Sequence, residues 1–394
     1  MTQKPTIAGL AALPIRRHLE MSVKDAATRV ALDALADAGL TAREVDGLFV
    51  SPPALSGPPG FMWSCTFAHH LGLTTRAQAL VECGGVTAAL ALDAACSALQ
   101  LGRCRVALVV AVDSRTGDPR GDLEHHLKNA VLRLVGLYGP YDAPYGLGAP
   151  IPYYAMSAQR YMFEHGASER DLAEVAVVLR SHASLNPRAE HTKPITVDDV
   201  LASRPVCPPL KLLDCSSMSS GAAALVVTAA GVIPQPKHRP VFVAGVGEHH
   251  EPTHFAPRRG PLTRFESAAR AAQAAYEASG RTAADIDVAE VYGVFSATEL
   301  MLYEDLGFFE KGQAARAVRE GKTAGAGRTF FCPGGGRLSL GHPAGATPLY
   351  AAVELCEQLR GAPRGRPVPN ADVALLHAEH GMLNGSMVTV LEGA

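Results

Sequence analysis

The stretch LSLGHPAGATPLYAAVELCEQLRG, residues 338–361, joins a glycine-flanked histidine to an alanine-rich apolar segment. Proline suits the first helical position, and the apolar residues from Leu349 to Leu359 keep helical spacing. We therefore predict a helix from Pro343 to Gly361, with His342 at its N-cap. Histidine is not a favoured N-cap residue. His342 is thus either a loop residue without a role or a functional group at a helix N-terminus.

The composition is that of a globular protein: 394 residues, 47% of them hydrophobic, with a net charge of −2. The chain has no basic block, which argues against a nucleic-acid partner. The first residues do not form a signal sequence, and no eighteen apolar residues follow one another, so we expect no membrane segment and a cytoplasmic protein.

Eight cysteines are present, and none forms a C-x-x-C pair with another. This spacing predicts free thiols that mostly fill the core, and no metal site on this chain.

The sequence also contains an internal duplication. Lys24–Ser51 and Arg264–Ser296 each predict a helix, a loop and a strand, and the region around Cys83 repeats the helix-then-strand order of the opening stretch. We predict two α/β halves, 1–235 and 236–394, each with a mostly parallel sheet. Residues 115–165, rich in Tyr, Pro and Gly, have no counterpart and predict an irregular excursion that either covers a site or is a plain surface insertion.

By this duplication, Cys83 and His342 stand at the N-termini of equivalent helices. A helix N-terminus lowers the pKa of a thiol and favours a neutral imidazole, and Gly84, Gly85 and Gly341 would let a substrate approach the backbone. The pair therefore predicts a nucleophile and its activating base. The alternative is a core thiol and an unrelated histidine.

Several motifs resemble those of the thiolase superfamily, above all sterol-carrier-protein-type and archaeal thiolases, over nearly the whole chain. GHPAGAT at 341–347 is similar to the family's histidine loop, and the glycine run 334–336 precedes it. Ser220-Gly221 stands where the family usually has Asp-Gly, and the segment after Phe295 also matches.

The resemblance implies a duplicated thiolase fold, with two mixed, mostly parallel sheets and layered helices (αβαβα). It implies at least a homodimer, a coenzyme A thioester as substrate, and no tightly bound cofactor. In this reading Cys83 takes the acyl group, and His342 activates it and supports an oxyanion. The predicted substrate- and oxyanion-binding positions are Gly85, Gly341, Gly345 and Gly381.

The sequence departs from the family at two motifs. Residues 292–295 read YGVF where the family has His-Asp-Cys-Phe, and HAEHG at 377–381 replaces the C-terminal Cys-x-Gly. A Claisen condensation of acetyl-CoA, which needs a positioned base, is therefore in doubt. Counted from Gly102, Cys83 also lies two residues before the family cysteine, which leaves Cys83 or Gly85 at the nucleophile position.

Two groups of relatives show a similar loss. Thiolase-like retro-aldolases use tyrosines and work with a small OB-fold partner, whereas thiolase-like acyltransferase subunits keep one cysteine and the histidine. We expect the second function: an acyltransferase that makes or breaks a C–C bond through a Cys83 acyl-enzyme. Tyr292 and His380 would handle the second proton, and a small OB-fold zinc-ribbon subunit would be a partner. The alternatives are a lyase with Tyr292 as base, or a non-catalytic acyl-CoA-binding subunit.

Overall fold

The computed structural model of the protein describes residues 4–54, 57–114, 142–233, 235–252, 260–381 and 384–394. The strands are β1 (Thr6–Ala12), β2 (Gly47–Ser51), β3 (Ala77–Leu80), β4 (Val106–Asp113), β5 (Pro205–Cys207), β6 (Leu210–Lys211), β7 (Gly221–Thr228), β8 (Val241–His250), β9 (Val288–Glu290), β10 (Phe330–Phe331), β11 (Val373–Glu379) and β12 (Gly385–Gly393). The helices are α1 (Val23–Ala38), α2 (Trp63–His70), α3 (Thr87–Gln100), α4 (Pro150–His165), α5 (Glu169–Ala183), α6 (Val197–Ala202), α7 (Glu266–Ser279), α8 (Ser296–Asp305), α9 (Ala314–Arg319) and α10 (Thr347–Leu359).

Ten strands form one mixed sheet in the order β10-β9-β11-β12-β8-β1-β7-β4-β2-β3. From the centre outward, each half contains two antiparallel pairings followed by two parallel ones. The predicted mixed α/β class is confirmed, and the two halves repeat one strand arrangement. The division into units at residue 235 stays a prediction.

The sheet differs in two details from the prediction of two separate, mostly parallel sheets. Parallel and antiparallel pairings are equal in number within each half. In addition, β1 and β8 pair through Thr6 with Phe242 and Ile7 with Val241, which joins the halves. At the centre of the sheet, β1 and β8 are the inner edge strands of the two halves. Backbone groups that would be unpaired at these edges form hydrogen bonds across the junction.

Strand β4 shows how the sheet is covered on both faces. All eight of its residues are buried. Val106, Leu108, Val110 and Val112 pack with α1, whereas the residues between them pack with α3. Successive side chains of a strand point to opposite faces, so a strand covered on both sides becomes a continuous apolar run. Helices α3 and α10 contact each other, and this contact brings together the loops that precede them.

Helix α4 corrects the prediction of an irregular excursion over 115–165. Residues 115–141 lie outside the described part, but residues 150–165 form a helix that contributes three buried tyrosines to the core. Pro150 opens the helix, where proline costs no hydrogen bond. The hydroxyl of Tyr154 donates to Glu379 (2.6 Å) and that of Tyr161 to Glu304 (2.6 Å). Helix α4 therefore contributes to the body of the protein.

The spacing of residues 168–184 predicts a helix, and the structure has α5 there. Ser168 accepts from the backbone N–H of Asp171, and the Asp171 carboxylate accepts from the backbone N–H of Ser168, which forms a capping box. All eight cysteines are free, as predicted. Across the residues described above, no helix has the length and apolar character needed to span a bilayer.

Candidate active site

His342 lies in the loop before α10, and its placement corrects the predicted N-cap. Helix α10 begins at Thr347 with Ala346 as its cap, and a 3-10 turn over Ala344–Ala346 separates it from the histidine. The backbone N–H of His342 donates to Ser219 Oγ (3.1 Å), and its Nδ1 lies 2.9 Å from Thr347 Oγ1. Contacts from two parts of the chain thus hold the ring in a buried position.

Burial and the nearby Arg337 cation lower the pKa of His342 to about 3. The imidazole is therefore neutral at physiological pH, as the sequence predicted. The cause is desolvation and a neighbouring cation rather than the helix dipole. A neutral imidazole held at Nδ1 by a hydroxyl can present Nε2 to a substrate oxygen.

Gly345 does not offer the oxyanion contact predicted for it. Its backbone N–H donates to Asp113 Oδ2 (2.7 Å). Burial raises the pKa of Asp113 to about 6, against the opposing effect of hydrogen bonds from the N–H groups of Gly345, Ala54 and Ser114. Asp113 therefore fixes the histidine loop to the end of β4, and the Gly345 donor is already used.

Cys83 lies four residues before α3, and its backbone N–H donates to Thr87 Oγ1 (2.7 Å). Its Sγ is 3.0 Å from His380 Nε2. Burial and the charge of Glu248 raise the pKa of the thiol. The sequence predicted a lowered pKa, and this prediction is wrong because the desolvation and the carboxylate outweigh the helix N-terminus.

Gly85 lies directly against the side chain of Tyr292. A Cβ at Gly85 would overlap the hydroxyl of Tyr292 and the carbonyl oxygen of Glu379. The rings of Tyr292 and His342 meet edge to face, with centroids 5.2 Å apart. The missing side chain at position 85 thus leaves the space that the Tyr292 hydroxyl occupies. The backbone N–H of Gly85 donates to the carbonyl of His380 (3.0 Å), so this predicted oxyanion donor is also used.

Tyr292 is buried just after β9. Burial and the Glu379 carboxylate raise its pKa well above the usual value, so the phenol keeps its proton at neutral pH. Its backbone N–H donates to Nδ1 of His377 (3.3 Å), which fixes the end of the strand. Tyr292 is therefore a hydrogen-bond and proton donor, and a phenolate base is disfavoured.

Sequence reasoning missed Glu379, the last residue of β11. Its side chain is buried next to Tyr292 and accepts from Tyr154. The sequence feature that points to Glu379 is an acidic residue at the end of an apolar run. It lies in the HAEHG segment, of which we predict only His380 and Gly381 as site residues. Glu379 is a carboxylate positioned to exchange a proton inside the site.

A buried ion pair lies behind the two aromatic residues. Arg337 Nη2 is 2.8 Å from Glu290 Oε2, and both side chains are almost fully buried. Burial raises the pKa of Glu290 to about 7 and that of Glu299 well above its usual value. The Arg337 cation lowers the pKa of His342. Nothing in the sequence around Arg337 indicates that role.

His380 belongs to a second group, with Cys83 and His250. One ligand atom from each of these three residues lies within 4.8 Å of the others, a set that could hold a metal ion. Of the remaining predicted glycines, Gly341 has a φ of +111° and packs against Ile15, whereas Gly381 has a φ of +112° and open space at its Cα. The site residues thus fall into two adjacent groups, Tyr292–His342–Glu379 and Cys83–His250–His380.

Gly85→Ala is expected to destabilise the protein by about 1–3 kcal/mol, because the added methyl overlaps Tyr292 and a backbone carbonyl. Urea unfolding measures the change, and turnover should fall as Tyr292 is displaced. Gly148→Ala is the matched control, since a Cβ there meets open space. Equal unfolding midpoints for the two variants would show that the space at Gly85 is not filled as described.

Comparisons with known proteins give a consistent picture. A family model described as "Thiolase C-terminal domain-like" matches residues 247–393. The acetyl-CoA acetyltransferase of Methanothermobacter thermautotrophicus is 32% identical over 369 residues, which cover 91% of each chain. The 17-hydroxy-3-oxo-4-pregnene-20-carboxyl-CoA lyase of Mycobacterium tuberculosis is 30% identical over 98% of this chain and 99% of that protein. The solved structure titled Ltp2-ChsH2(DUF35) aldolase superposes with a TM-score of 0.85 at 28% identity, covering 99% of this chain and 98% of that one.

Proposed function

The chain belongs to the thiolase family, and on that premise we propose that it is a lyase of the aldolase type, which breaks or forms a C–C bond beside a coenzyme A thioester without an acyl-enzyme. The observation that carries this proposal is the absence of a side chain at Gly85 together with the Tyr292 hydroxyl in the space it leaves. A thiolase mechanism needs a thiolate beside the loop histidine, and here a phenol lies there instead.

The proposed step acts on a β-hydroxyacyl-CoA. A base takes the proton of the β-hydroxyl, the bond between the α and β carbons breaks, and the β carbon becomes a carbonyl. The electron pair of the broken bond forms the enolate of the shortened thioester. His342 Nε2 donates a hydrogen bond to the enolate oxygen, and Tyr292 delivers a proton to the α carbon. Glu379 is the candidate acceptor of the hydroxyl proton and returns it to Tyr292.

Two relatives support this reaction class. One is named a CoA lyase and matches this chain over almost its full length, and the other is titled an aldolase and superposes over the same extent. The M. thermautotrophicus relative is named an acetyltransferase, so relatedness alone does not select the reaction. Gly85 and Tyr292 support the lyase.

A second candidate function is the acyltransferase with a Cys83 acyl-enzyme. The distance of 3.0 Å between Cys83 Sγ and His380 Nε2 favours it, because a cysteine and a histidine in hydrogen-bond contact form a nucleophile and its base. His342 would then lie outside the nucleophilic pair, and the raised thiol pKa opposes thiolate formation.

The mass of the intact protein after incubation with acyl-CoA separates the two functions. As a lyase, the chain should gain no acyl mass at Cys83, and Cys83→Ser should keep C–C cleavage. The exposed Cys65 gives the control variant, Cys65→Ser. A stoichiometric acyl adduct that Cys83→Ser abolishes together with turnover would overturn the lyase and establish the acyltransferase.

We also propose that the chain works as a homodimer or larger assembly with a small OB-fold zinc-ribbon subunit. The aldolase of similar structure carries two names in its title, Ltp2 and ChsH2(DUF35), which supports a second component. Full turnover by the purified chain at a plain homodimeric mass would contradict this partner. A non-catalytic acyl-CoA-binding subunit would bind the thioester yet show no turnover, whether or not the partner subunit is present.

A further inference from the structure

We propose that Cys83, His250 and His380 bind one divalent metal ion of the zinc class. The three residues come from the loop before α3, the end of β8 and the loop after β11, and one potential ligand atom from each lies within 4.8 Å of the others. One thiolate and two imidazoles form a ligand set that suits zinc, and three protein ligands with one open position are typical of a reactive zinc site. This inference goes beyond the proposed lyase and opposes the sequence prediction of no metal on this chain.

The two imidazole rings lie close together beside the sulfur of Cys83. Their ring centroids are 4.6 Å apart, and His380 Nε2 is 3.0 Å from the sulfur of Cys83. A Cβ at Gly385 would lie 2.5 Å from Nδ1 of His380 and 2.7 Å from Nδ1 of His250. The two rings therefore occupy space that is free because residue 385 is a glycine. A side chain at this position would displace both rings.

A carboxylate orients one of the ligands. Glu248 and His250 are two residues apart on β8, so they share a face of the strand, and Glu248 is hydrogen-bonded to Nε2 of His250. This bond leaves Nδ1 of His250 for the metal. Metal-binding histidines usually have such a carboxylate on their other ring nitrogen.

The charges around the cluster favour a cation. Glu248 lies against the ligand His250, and burial together with the charge of Glu248 raises the pKa of Asp93 on α3. Among the described residues, the ion pair of Glu248 is with His250, and no lysine or arginine pairs with Glu248 or Asp93. A divalent ion held by the thiolate would offset this local negative charge.

The site is open to solvent on one side. The side chain of His250 is one-third exposed, whereas Cys83 and His380 are half-buried. An ion can therefore enter, and its remaining position would face water or a substrate oxygen. Cys83 bound to metal is unavailable as an acyl carrier, which agrees with a lyase but does not depend on it.

Metal binding by the full chain tests the proposal. After treatment with a chelator and dialysis, the protein is titrated with Zn²⁺ and with Co²⁺, and bound metal is measured by elemental analysis. We expect about one equivalent per chain and a near-ultraviolet charge-transfer band that reports a cobalt–thiolate bond. Cys83→Ser should remove this band, and Cys83→Ser and His250→Asn should each weaken binding by about a hundredfold or more, since even loss of an orienting partner costs 10–100-fold.

Two matched controls keep the result specific. His249→Asn changes the neighbouring histidine on the other face of β8, and Cys65→Ser changes an exposed thiol, so both should bind like the unchanged chain. Circular dichroism verifies the fold of every variant, and His250→Asn, at a partly exposed position, decides the outcome if Cys83→Ser unfolds. Binding far below one equivalent per chain, or binding that these ligand variants leave unchanged, would overturn the proposal.

Discussion

Tyr292→Phe is expected to lower the rate constant for C–C cleavage of β-hydroxyacyl-CoA thioesters by about 10²- to 10⁴-fold, the usual contribution of a general acid. The change removes one oxygen atom and keeps the ring that packs on His342. Because burial raises the pKa of Tyr292 well above its normal value, the phenol keeps its proton throughout the physiological range and is present in the acid form. Release of the shortened thioester, followed by chromatography, measures the effect.

Exchange of the α proton of the product thioester with deuterated water isolates the part played by Tyr292. This exchange requires protonation of the enolate, so Tyr292→Phe should slow it in proportion to cleavage. Tyr276→Phe removes another tyrosine hydroxyl, one that donates to the carbonyl of Leu306, and is the matched control. If Tyr292→Phe cleaves its substrate within tenfold of the unchanged chain (about 1.4 kcal/mol of barrier), Tyr292 serves packing and the lyase mechanism fails.

His342→Ala is expected to lower kcat by about 10²- to 10³-fold, the usual loss when a donor to a developing oxyanion is removed. Because the pKa of His342 is about 3, the imidazole stays neutral as the pH rises from 5 to 8. The ring would take up a second proton only as the pH falls through about 3. The variant should therefore lose rate equally across this range, and the shape of its pH profile should match that of the unchanged chain.

Thr347→Val gives a graded comparison for the same ring. It removes the hydroxyl 2.9 Å from Nδ1 and leaves the imidazole in place, so one hydrogen bond is lost, about 0.5–1.5 kcal/mol or up to roughly tenfold in kcat. A larger loss for Thr347→Val than for His342→Ala would contradict the assignment of the histidine as the donor. A pH profile that shifts in His342→Ala would instead show that this histidine titrates during turnover.

The sequence by itself determined the elements and their repetition. Helix α5 with its Ser168 cap, the strand β7 and the repeated order of helix and strand follow from local spacing and end signals. These features depend on residues within a few positions of one another, so periodicity and capping chemistry predict them. The family motif around His342 likewise located the loop that lies in the candidate site.

Other features of the local sequence pointed the wrong way. Pro150 and the tyrosines of α4 read as an irregular segment, although proline at a helix start and tyrosines with buried acceptors fit a packed helix. Pro343 predicts the start of α10 by local preference, but the helix begins at Thr347. In both places the backbone followed contacts with distant residues, such as Glu379 and Asp113, rather than local preference.

Only the tertiary structure decided which residues form the site. It set Gly85 against the hydroxyl of Tyr292, added Glu379, and brought Cys83, His250 and His380 together from positions up to 297 residues apart. It also fixed the direction of the pKa shift of Cys83, because burial and the charge of Glu248 outweigh the nearby helix. Proximity, desolvation and charge depend on everything that packs around a group, whereas the residues beside it in sequence supply only a small part of that environment.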